Sequence, residues 1–289
     1  MEKRSEKSVS AALFAPKMSH DDFIRMSSYV SETFGIKLPE AKKLMLEGRL
    51  RRRLIQLQMP SFKEYCEYLF SPEGQLNEVQ PMIDLVSTNK TDFFREADHF
   101  NYLANKVLPE FVSTGNSGRT LSVWSAGCST GEECYTLAMI LSEFFSEHRS
   151  FDFTILATDI SMRVLQAAHL AIYPDSKIAP IPLDLRRKYL LRGKGAEASR
   201  VRFVPEIRRK VKFERLNLLE LGEISQRSFQ IIFCRNVIIY FDRPTQERLI
   251  GGFYERLKPG GYLFLGHSEA LPGLKIPLQT VAPMIYRKV

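Results

Sequence analysis

Apolar residues in the N-terminal part of the chain recur at steps of three and four, the spacing that places them on one face of a helix. A Ser-x-x-Asp start at Ser19 precedes the first of these series, and Gly35 ends it. Similar series follow over residues 39–57, 61–70 and 76–86. The pattern predicts a small helical domain over residues 19–86, preceded by a mobile tail over residues 1–18, where no period is found.

From Leu121 onward, short apolar strands alternate with helices, which is typical of a parallel sheet with helical crossovers. The predicted strands cover residues 121–126, 153–157, 211–214, 229–233 and 261–265. A terminal antiparallel hairpin is predicted over residues 278–281 and 284–287. The alternation is interrupted over about 178–210, which predicts a small inserted β subdomain. We therefore expect a linker and helix over 87–120 and an α/β domain over 121–289.

Positive charge is concentrated in two stretches of the sequence. The formal net charge is +8, which indicates an acidic partner without naming one. Lys37–Arg53 contains seven basic and two acidic side chains, and Asp184–Lys212 contains eleven and three. We expect two local basic surfaces on an otherwise mildly acidic chain. Solvated helix faces without any partner are an alternative interpretation of either stretch.

Composition excludes several classes of protein. An apolar content of 44% with 16 Gly and 15 Pro is that of an ordinary globular protein. Apolar runs stay far below the roughly 20 residues of a membrane span, and the first ten residues lack the apolar core of a secretory leader. A cytoplasmic location is therefore expected. The four cysteines lack Cys-x-x-Cys spacing, so free thiols are expected. The five histidines are scattered along the sequence, and no metal site is expected.

A glycine turn joins the first predicted strand of the α/β domain to the next helix. Gly127 and Gly131 allow a ligand to approach the backbone, and the helix start offers unpaired N–H groups. The spacing is not Gly-x-Gly-x-x-Gly, and Glu132 and Glu133 place negative charge where a pyrophosphate would lie. Asp159 ends the next strand, where an acid commonly accepts from ribose hydroxyls. These features favour a cationic or zwitterionic nucleoside, and S-adenosylmethionine meets the conditions.

The same turn, Gly-Cys-Ser-Thr-Gly, also satisfies the nucleophile-elbow pattern of serine hydrolases, with Ser129 as the nucleophile. His267 would serve as the base and Asp159 or Asp242 as the acid. Against this alternative, the turn follows the first strand of the predicted sheet, and no upstream His-Gly-Gly-Gly segment supplies an oxyanion hole. A serine hydrolase is therefore the second hypothesis.

Four longer segments occur in an order that is specific to one family. They are Ser87-Thr-Asn-Lys-Thr-Asp-Phe-Phe-Arg-Glu96, Val123-Trp-Ser-Ala-Gly-Cys-Ser-Thr-Gly-Glu-Glu133, Phe233-Cys-Arg-Asn-Val-Ile-Ile-Tyr-Phe-Asp242 and Gly261-Tyr-Leu-Phe-Leu-Gly-His-Ser-Glu269. Together they closely resemble the bacterial chemotaxis receptor (methyl-accepting chemotaxis protein) glutamate O-methyltransferases, over roughly residues 19–287. Cys134 stands where the family usually has Pro, and only a local effect is expected in a first helical turn.

The resemblance implies a class I S-adenosylmethionine-dependent methyltransferase sheet, mostly parallel with a C-terminal antiparallel hairpin. It also implies an N-terminal all-α domain and a small inserted β subdomain. The residues expected to bind the cofactor, together with Gly127 of the glycine turn, are Asn89, Thr91, Arg95, Glu133, Asp159, Asn217, Arg235 and Asn236. Arg95 and Tyr240 match positions near the transferring methyl group. Without the family, the residues alone favour structural roles: Asn217 and Asn236 as strand-end caps, Arg235 as a surface charge and Tyr240 as a packed ring.

The resemblance further implies that the acceptors are glutamates on the cytoplasmic helices of chemoreceptors, with glutamyl methyl esters and S-adenosylhomocysteine as products. Because such helices are acidic, they are expected to dock on the predicted basic helix through Arg49, Arg51, Arg52 and Arg53. Nucleic acid shares only the charge argument, and no aromatic platform supports it. The inserted subdomain, with its loop at Gly193-Lys-Gly195, resembles one that binds a receptor's C-terminal peptide in some members. We expect a monomer that is recruited to membrane receptors.

Overall fold

The computed structural model describes residues 16–114, 120–270, 273 and 276–289. The chain divides into two compact units, one that ends at Thr88 and one that begins at Asn89. Residues 1–15 of the predicted tail lie outside the described residues. Within the described part, no helix is both long and apolar enough to cross a membrane.

The first unit is helical. Its elements are α1 (His20–Phe34), a 3-10 turn (Glu40–Lys42), α2 (Lys43–Gln56), α3 (Phe62–Leu69), α4 (Pro72–Asn77) and α5 (Val79–Val86). The predicted ends of α1 are confirmed, because the Ser19 hydroxyl accepts from the Asp22 N–H at 3.0 Å and Gly35 adopts a φ of 73°. Met26 and Val30, on the predicted apolar face, are buried.

Two helix boundaries predicted from the apolar pattern are wrong. Residues 76–86 belong to two helices, because the chain turns at Glu78 between α4 and α5. The fully buried carboxylate of Glu78 accepts from the Arg53 guanidinium at 2.6 Å and from the Tyr65 hydroxyl at 2.8 Å. Because Arg53 and Tyr65 lie on other helices, the spacing of apolar residues near Glu78 does not predict these contacts or the turn. The helix expected from Pro39 begins as a 3-10 turn, and α2 proper begins at Lys43.

The second unit is an α/β structure in which every predicted strand is found. Its elements are α6 (Ala97–Tyr102), a π-helical stretch (Leu103–Val107), α7 (Leu108–Ser113), β1 (Thr120–Ala126), α8 (Glu132–Glu147), β2 (Asp152–Asp159), α9 (Met162–Leu170), β3 (Ile172–Pro174), α10 (Leu183–Tyr189), β4 (Leu190–Arg192), β5 (Arg200–Phe203), α11 (Pro205–Arg208), β6 (Val211–Arg215), β7 (Phe229–Cys234), a 3-10 turn (Ile238–Tyr240), α12 (Arg243–Arg256), β8 (Leu257–Leu265), β9 (Leu278–Ala282) and β10 (Ile285–Lys288). Three further 3-10 turns lie at Asp175–Lys177, Gly195–Glu197 and Leu221–Ile224.

Seven of these strands form one sheet in the order β6-β2-β1-β7-β8-β10-β9. β1 pairs in parallel with β2 and β7, whereas β10 pairs antiparallel with β8 and β9. The expected class I methyltransferase sheet with its terminal antiparallel hairpin is confirmed. Because the chain crosses from one side of β1 to the other, the carboxyl end of β1 is the switch point where ligands bind in open α/β sheets.

Aromatic side chains fill the two core clusters that enclose this sheet. In one cluster the rings of Phe100, Phe233 and Phe264 stack in sequence, with centroids 5.9 and 4.3 Å apart. In the other, Trp124 packs edge-on against Phe253 at 5.2 Å. Such close aromatic packing makes the strand ends rigid supports for a site.

A second, three-stranded antiparallel sheet has the order β3-β5-β4. It contains the predicted inserted segment but begins at Ile172, ahead of the expected start near 178. β3 is only three residues long and exposes two of its three side chains, so it carries no alternating pattern that a sequence reading can detect.

Candidate functional site

The glycine turn after β1 adopts a backbone that only glycine tolerates well. Gly127 and Gly131 have φ values of 80° and 94°. A Cβ atom on Gly127 would lie 2.4 Å from Cγ2 of Val237, and one on Gly131 would lie 2.9 Å from Cβ of Ala168. The N–H groups of Gly127 and of the next residue both donate to the Thr158 carbonyl, at 2.8 and 2.9 Å. The turn is therefore held tightly against the carboxyl end of β2.

The carboxylate of Asp159, at the end of β2, is buried beside this turn. It accepts the backbone N–H of Ser129 at 2.9 Å and that of Ser161 at 3.0 Å. The Ser129 hydroxyl donates to the carbonyl of Asn89 at 2.8 Å. A peptide carbonyl cannot act as a general base, so Ser129 joins the Asn89 segment to the glycine turn and is not an activated nucleophile.

Arg235, directly after β7, connects three parts of the site. Its guanidinium donates to the carboxylate of Glu133 at 3.2 Å, to that of Glu96 at 3.0 Å and to the carbonyl of Arg95. It also lies over the ring of Phe100, 5.2 Å from the centroid. Its side chain is only 2% exposed, so Arg235 is not a surface charge. Its position makes it a rigid part of the site wall.

The two acids bonded to Arg235, Glu133 and Glu96, have pKa values that are shifted in opposite directions. Burial raises the pKa of Glu133, although Arg235 and the Ser125 hydroxyl oppose this effect. Burial acts in the same direction on Glu96, but Arg235 and the amide of Asn236 outweigh it and hold the pKa of Glu96 below its usual value. Two carboxylates whose pKa values are shifted in opposite directions therefore share a single cation.

Glu269, after β8, organises the loop that follows β7, and the sequence reading did not single it out as a site residue. Its buried carboxylate accepts four backbone N–H groups. They belong to Gly266 at 2.6 Å, Val237 at 2.7 Å, Asn236 at 2.8 Å and Ile239 at 3.4 Å. Glu269 thereby fixes the backbone between Arg235 and Tyr240. No sequence signal identifies an acceptor of this kind, because every donor is a backbone group.

Left-handed backbone conformations concentrate in the segments that form the site. Of the seven non-glycine residues with positive φ in the described chain, four lie there: Phe94 (53°), Glu96 (56°), Ser129 (51°) and Asn236 (58°). Each such residue costs on the order of 1–3 kcal/mol, and persists only where surrounding contacts over-determine it. The hydrogen bonds of Arg235, Asp159 and Glu269 provide those contacts.

The other predicted site residues occupy the same edge of the sheet or the segment before α6. The Thr91 carbonyl accepts from the Lys177 ammonium at 3.1 Å, and the Arg95 guanidinium donates to the Lys90 carbonyl at 3.1 Å. Asn217, after β6, accepts the N–H of Leu219 at 3.1 Å, as an end cap does. Tyr240 is half-buried in the 3-10 turn after β7.

The four predicted docking arginines in the first unit have different environments. Arg49 donates to the carbonyls of Val86 and Ser87 at 2.6 and 3.2 Å, which caps the end of α5. Arg53 is bonded to the buried Glu78, and Arg51 is paired with Glu47. The Arg52 side chain is exposed, and no hydrogen bond or ion pair to it is found among the described residues. The outward charge of α2 is therefore smaller than its sequence indicates.

Comparison with known proteins identifies the family. A family model described as the CheR methyltransferase SAM binding domain matches residues 89–286, and one described as the CheR methyltransferase all-alpha domain matches residues 21–87. The chain belongs to the CheR methyltransferase family. It is 39% identical over 274 residues to a chemotaxis protein methyltransferase of Borreliella burgdorferi, covering 94% of this chain and 95% of that protein. The corresponding protein of Klebsiella aerogenes is 40% identical over 253 residues, with 87% and 84% covered.

As a member of the CheR family, the protein is an S-adenosylmethionine-dependent methyltransferase, and the serine hydrolase alternative is unsupported. The residues at the carboxyl edge of the sheet fit that methyl donor. Glu133 and Asp159 are carboxylates of the kind that accept from an ammonium group and from hydroxyls, and Gly127 lets the turn pack closely against Val237. The acids in the first turn of α8 disfavour a diphosphate at the same position.

Proposed function

We propose that this enzyme transfers a methyl group from S-adenosylmethionine to glutamate side chains on the cytoplasmic helices of chemoreceptors. The products are glutamyl methyl esters and S-adenosylhomocysteine. The observation that carries the proposal is the convergence of the glycine turn, Asp159, Glu133 and Arg235 at the switch point of the sheet, in a chain that matches both CheR domains. We place the reaction in the cytoplasm, at the membrane receptors, with the enzyme acting as a monomer.

The cofactor-binding residues on this proposal come from five segments of the second unit. They are Asn89, Thr91, Arg95, Gly127, Glu133, Asp159, Asn217, Arg235 and Asn236. Asp159 is positioned by two backbone N–H donors and lies where ribose hydroxyls are accepted in folds of this class. Glu133 accepts from Ser125 and Arg235, and on this proposal it also accepts from an ammonium group of the cofactor.

S-adenosylmethionine, when bound, supplies an electrophilic methyl group on a sulfonium sulfur. The acceptor glutamate has an ordinary pKa of about 4.3, so it is ionised at pH 7 and needs no general base. A lone pair of the carboxylate oxygen forms the new O–C bond while the S–C bond breaks, and its electron pair stays on sulfur. The task of the protein is alignment, for which effective molarities are very large. We assign Arg95 to orienting a carboxylate and Tyr240 to shaping the methyl channel.

Receptor docking is proposed to use the basic helix α2. Its predicted contact residues are Arg49, Arg51, Arg52 and Arg53, and Arg52 is the one that projects without an internal partner among the described residues. Arg52→Glu should raise the KM for receptor and leave the affinity for S-adenosylhomocysteine unchanged. Arg149→Glu, the same charge change at an exposed site on the second unit, is the control. An equal rise in KM for both variants would indicate a general charge effect and contradict docking on α2.

The small sheet is proposed to bind the C-terminal peptide of a receptor by strand addition. β4 is an edge strand of this sheet, and the loop that contains Gly193 and Gly195 follows it. A receptor without its C-terminal tail should therefore be methylated more slowly at low receptor concentration. Unchanged methylation of the truncated receptor would contradict this part of the proposal.

The test of the methyl-donor site is a calorimetric titration with S-adenosylhomocysteine, the stable product. Wild-type protein should bind it saturably, and Asp159→Ala should lose binding while it stays folded. Asp184→Ala removes an acid whose side chain is 96% exposed, and should bind as the wild type does. Transfer of a labelled methyl group to a purified receptor fragment then identifies the acceptor. Failure of a well-folded wild-type protein to bind S-adenosylhomocysteine would overturn the site.

A further inference from the structure

Two histidines that are far apart in the sequence meet beside Glu96. His99 lies in α6 and His267 follows β8, and their ring centroids are 5.1 Å apart at an interplanar angle of 83°. One ligand atom from each of Glu96, His99 and His267 lies within 4.8 Å of the other two. The distance between Nδ1 of His99 and Oε2 of Glu96 is 3.6 Å. The sequence spacing suggested scattered histidines, and the fold contradicts that interpretation for these two.

The buried histidine of this cluster lacks a well-formed hydrogen bond. His99 is 1% exposed, and neither of its ring nitrogens meets hydrogen-bond geometry with any described residue, although the Pro283 backbone lies close enough to interact with the ring. Its ring packs edge-on against Phe264, with the centroids 5.9 Å apart, and this apolar contact gives neither nitrogen a hydrogen bond. A buried polar group without a partner costs about 1–3 kcal/mol. A buried imidazole of this kind, which faces a carboxylate and a second imidazole, is a group that a bound ion can satisfy.

The carboxylate of the cluster is held in position from outside, as metal-ligating carboxylates are. Glu96 has a left-handed φ of 56°, and its two oxygens accept from the Arg235 guanidinium at 3.0 Å and the Asn236 amide at 3.3 Å. Arg235 is shared with a second carboxylate, that of Glu133.

We propose that Glu96, His99 and His267 form a binding site for a first-row transition-metal dication, of which Zn²⁺ is the representative. Two imidazoles and one carboxylate are a preferred donor set for such ions, and they leave further coordination positions open to water. Metal–ligand distances of about 2.0–2.2 Å require the three donor atoms to move closer together than they now lie. The exposed side chain of His267 can make that movement without disturbing the core.

The experiment uses the full chain, freed of metal by a chelator, and titrates Co²⁺ as a coloured probe followed by Zn²⁺ as a competitor. Wild-type protein should bind one Co²⁺ with visible ligand-field bands, and Zn²⁺ should displace it. His267→Ala removes an exposed ligand, so it should fold normally and weaken binding by about tenfold or more. His169→Ala removes an exposed histidine elsewhere and should bind as the wild type does.

Binding that is equal in wild type, His267→Ala and His169→Ala would come from other surface groups and would overturn the proposal. Absence of Co²⁺ bands in the wild-type protein would overturn it as well. Loss of binding in His267→Ala alone supports it. The readout is spectroscopic and needs neither cofactor nor receptor, so its outcome is independent of the proposed methyl transfer.

Discussion

Replacing Glu269 by glutamine preserves the shape of the side chain but exchanges one acceptor oxygen for an NH₂ donor. Oε1 accepts from Val237 and Ile239, and Oε2 accepts from Asn236 and Gly266. Whichever oxygen is exchanged, two backbone donors lose their acceptor. The amide should turn its NH₂ toward the first pair, because the 3.4 Å bond to Ile239 is the weakest of the four.

The free-energy cost follows from these contacts. A hydrogen bond to a charged group contributes about 1.5–3 kcal/mol, and a buried donor left unpaired costs about 1–3 kcal/mol. Burial raises the pKa of Glu269, which means that the charged carboxylate carries a desolvation cost that glutamine relieves. We therefore expect Glu269→Gln to lower the free energy of unfolding by about 2–4 kcal/mol. Part of this loss falls on the loop that carries Arg235 and Asn236.

Urea denaturation measures the stability change, and calorimetric titration with S-adenosylhomocysteine measures its effect on the site. We expect the affinity to fall about tenfold, equivalent to about 1.4 kcal/mol. Glu255→Gln is the matched control, because that side chain is 77% exposed and should change stability by less than about 0.5 kcal/mol. Equal stability of the two variants would refute the role assigned to the Glu269 carboxylate. A stability loss with unchanged affinity would limit that role to folding.

Three further predictions test the two units separately. Arg53→Ala leaves the buried Glu78 carboxylate without its cation and should cost about 3–5 kcal/mol in urea denaturation. Arg52→Ala should cost less than about 0.5 kcal/mol, and equal costs would contradict the buried pair. Gly127→Ala should destabilise by about 2–4 kcal/mol and abolish S-adenosylhomocysteine binding, because φ is 80° and the added Cβ has no space. Burial raises the pKa of Glu133, so the affinity of the wild-type protein for S-adenosylhomocysteine should weaken on acidification at a pH above the ordinary glutamate pKa of about 4.3. Glu133→Gln should remove that pH dependence. An unchanged pH profile in this variant would contradict the prediction.

The elements that sequence reasoning located well are those with local signals. Ser19 and Gly35 bound α1 because a side-chain cap and a left-handed glycine act within one turn. The central strand β7 stands out because both faces of the sheet are covered there, so its last four residues, Ile231–Cys234, form a continuous buried apolar run. The break at Glu78 escaped prediction because its cause is a buried carboxylate whose partners, Arg53 and Tyr65, lie on other helices.

The residues of the candidate site likewise divide into those with a local sequence signal and those without one. The glycine turn and Asp159 were predictable, since a strand-to-helix turn and a strand-end acid are read from adjacent residues. Glu269 and His99 were not predicted as site residues, because their roles arise only when the carboxyl ends of β7 and β8 and the start of α6 come together. The contacts of Glu269 with the loop after β7 span 30 to 33 residues and that of His99 with His267 spans far more, and such separations leave no period or spacing behind.

Arginine shows why a charge count along the chain overstates the docking surface. Arg53 is paired with the buried Glu78, and Arg235 is paired with Glu96 and Glu133. Arg49 caps the end of α5, so none of these three arginines projects its full charge into solvent. Each pair or cap neutralises charge inside the protein and stabilises a helix or the site wall. The outward field of α2 therefore depends on exposed residues such as Arg52 and, just before the helix, Lys37. A reversal of Arg53 would test folding, whereas a reversal of Arg52 tests docking.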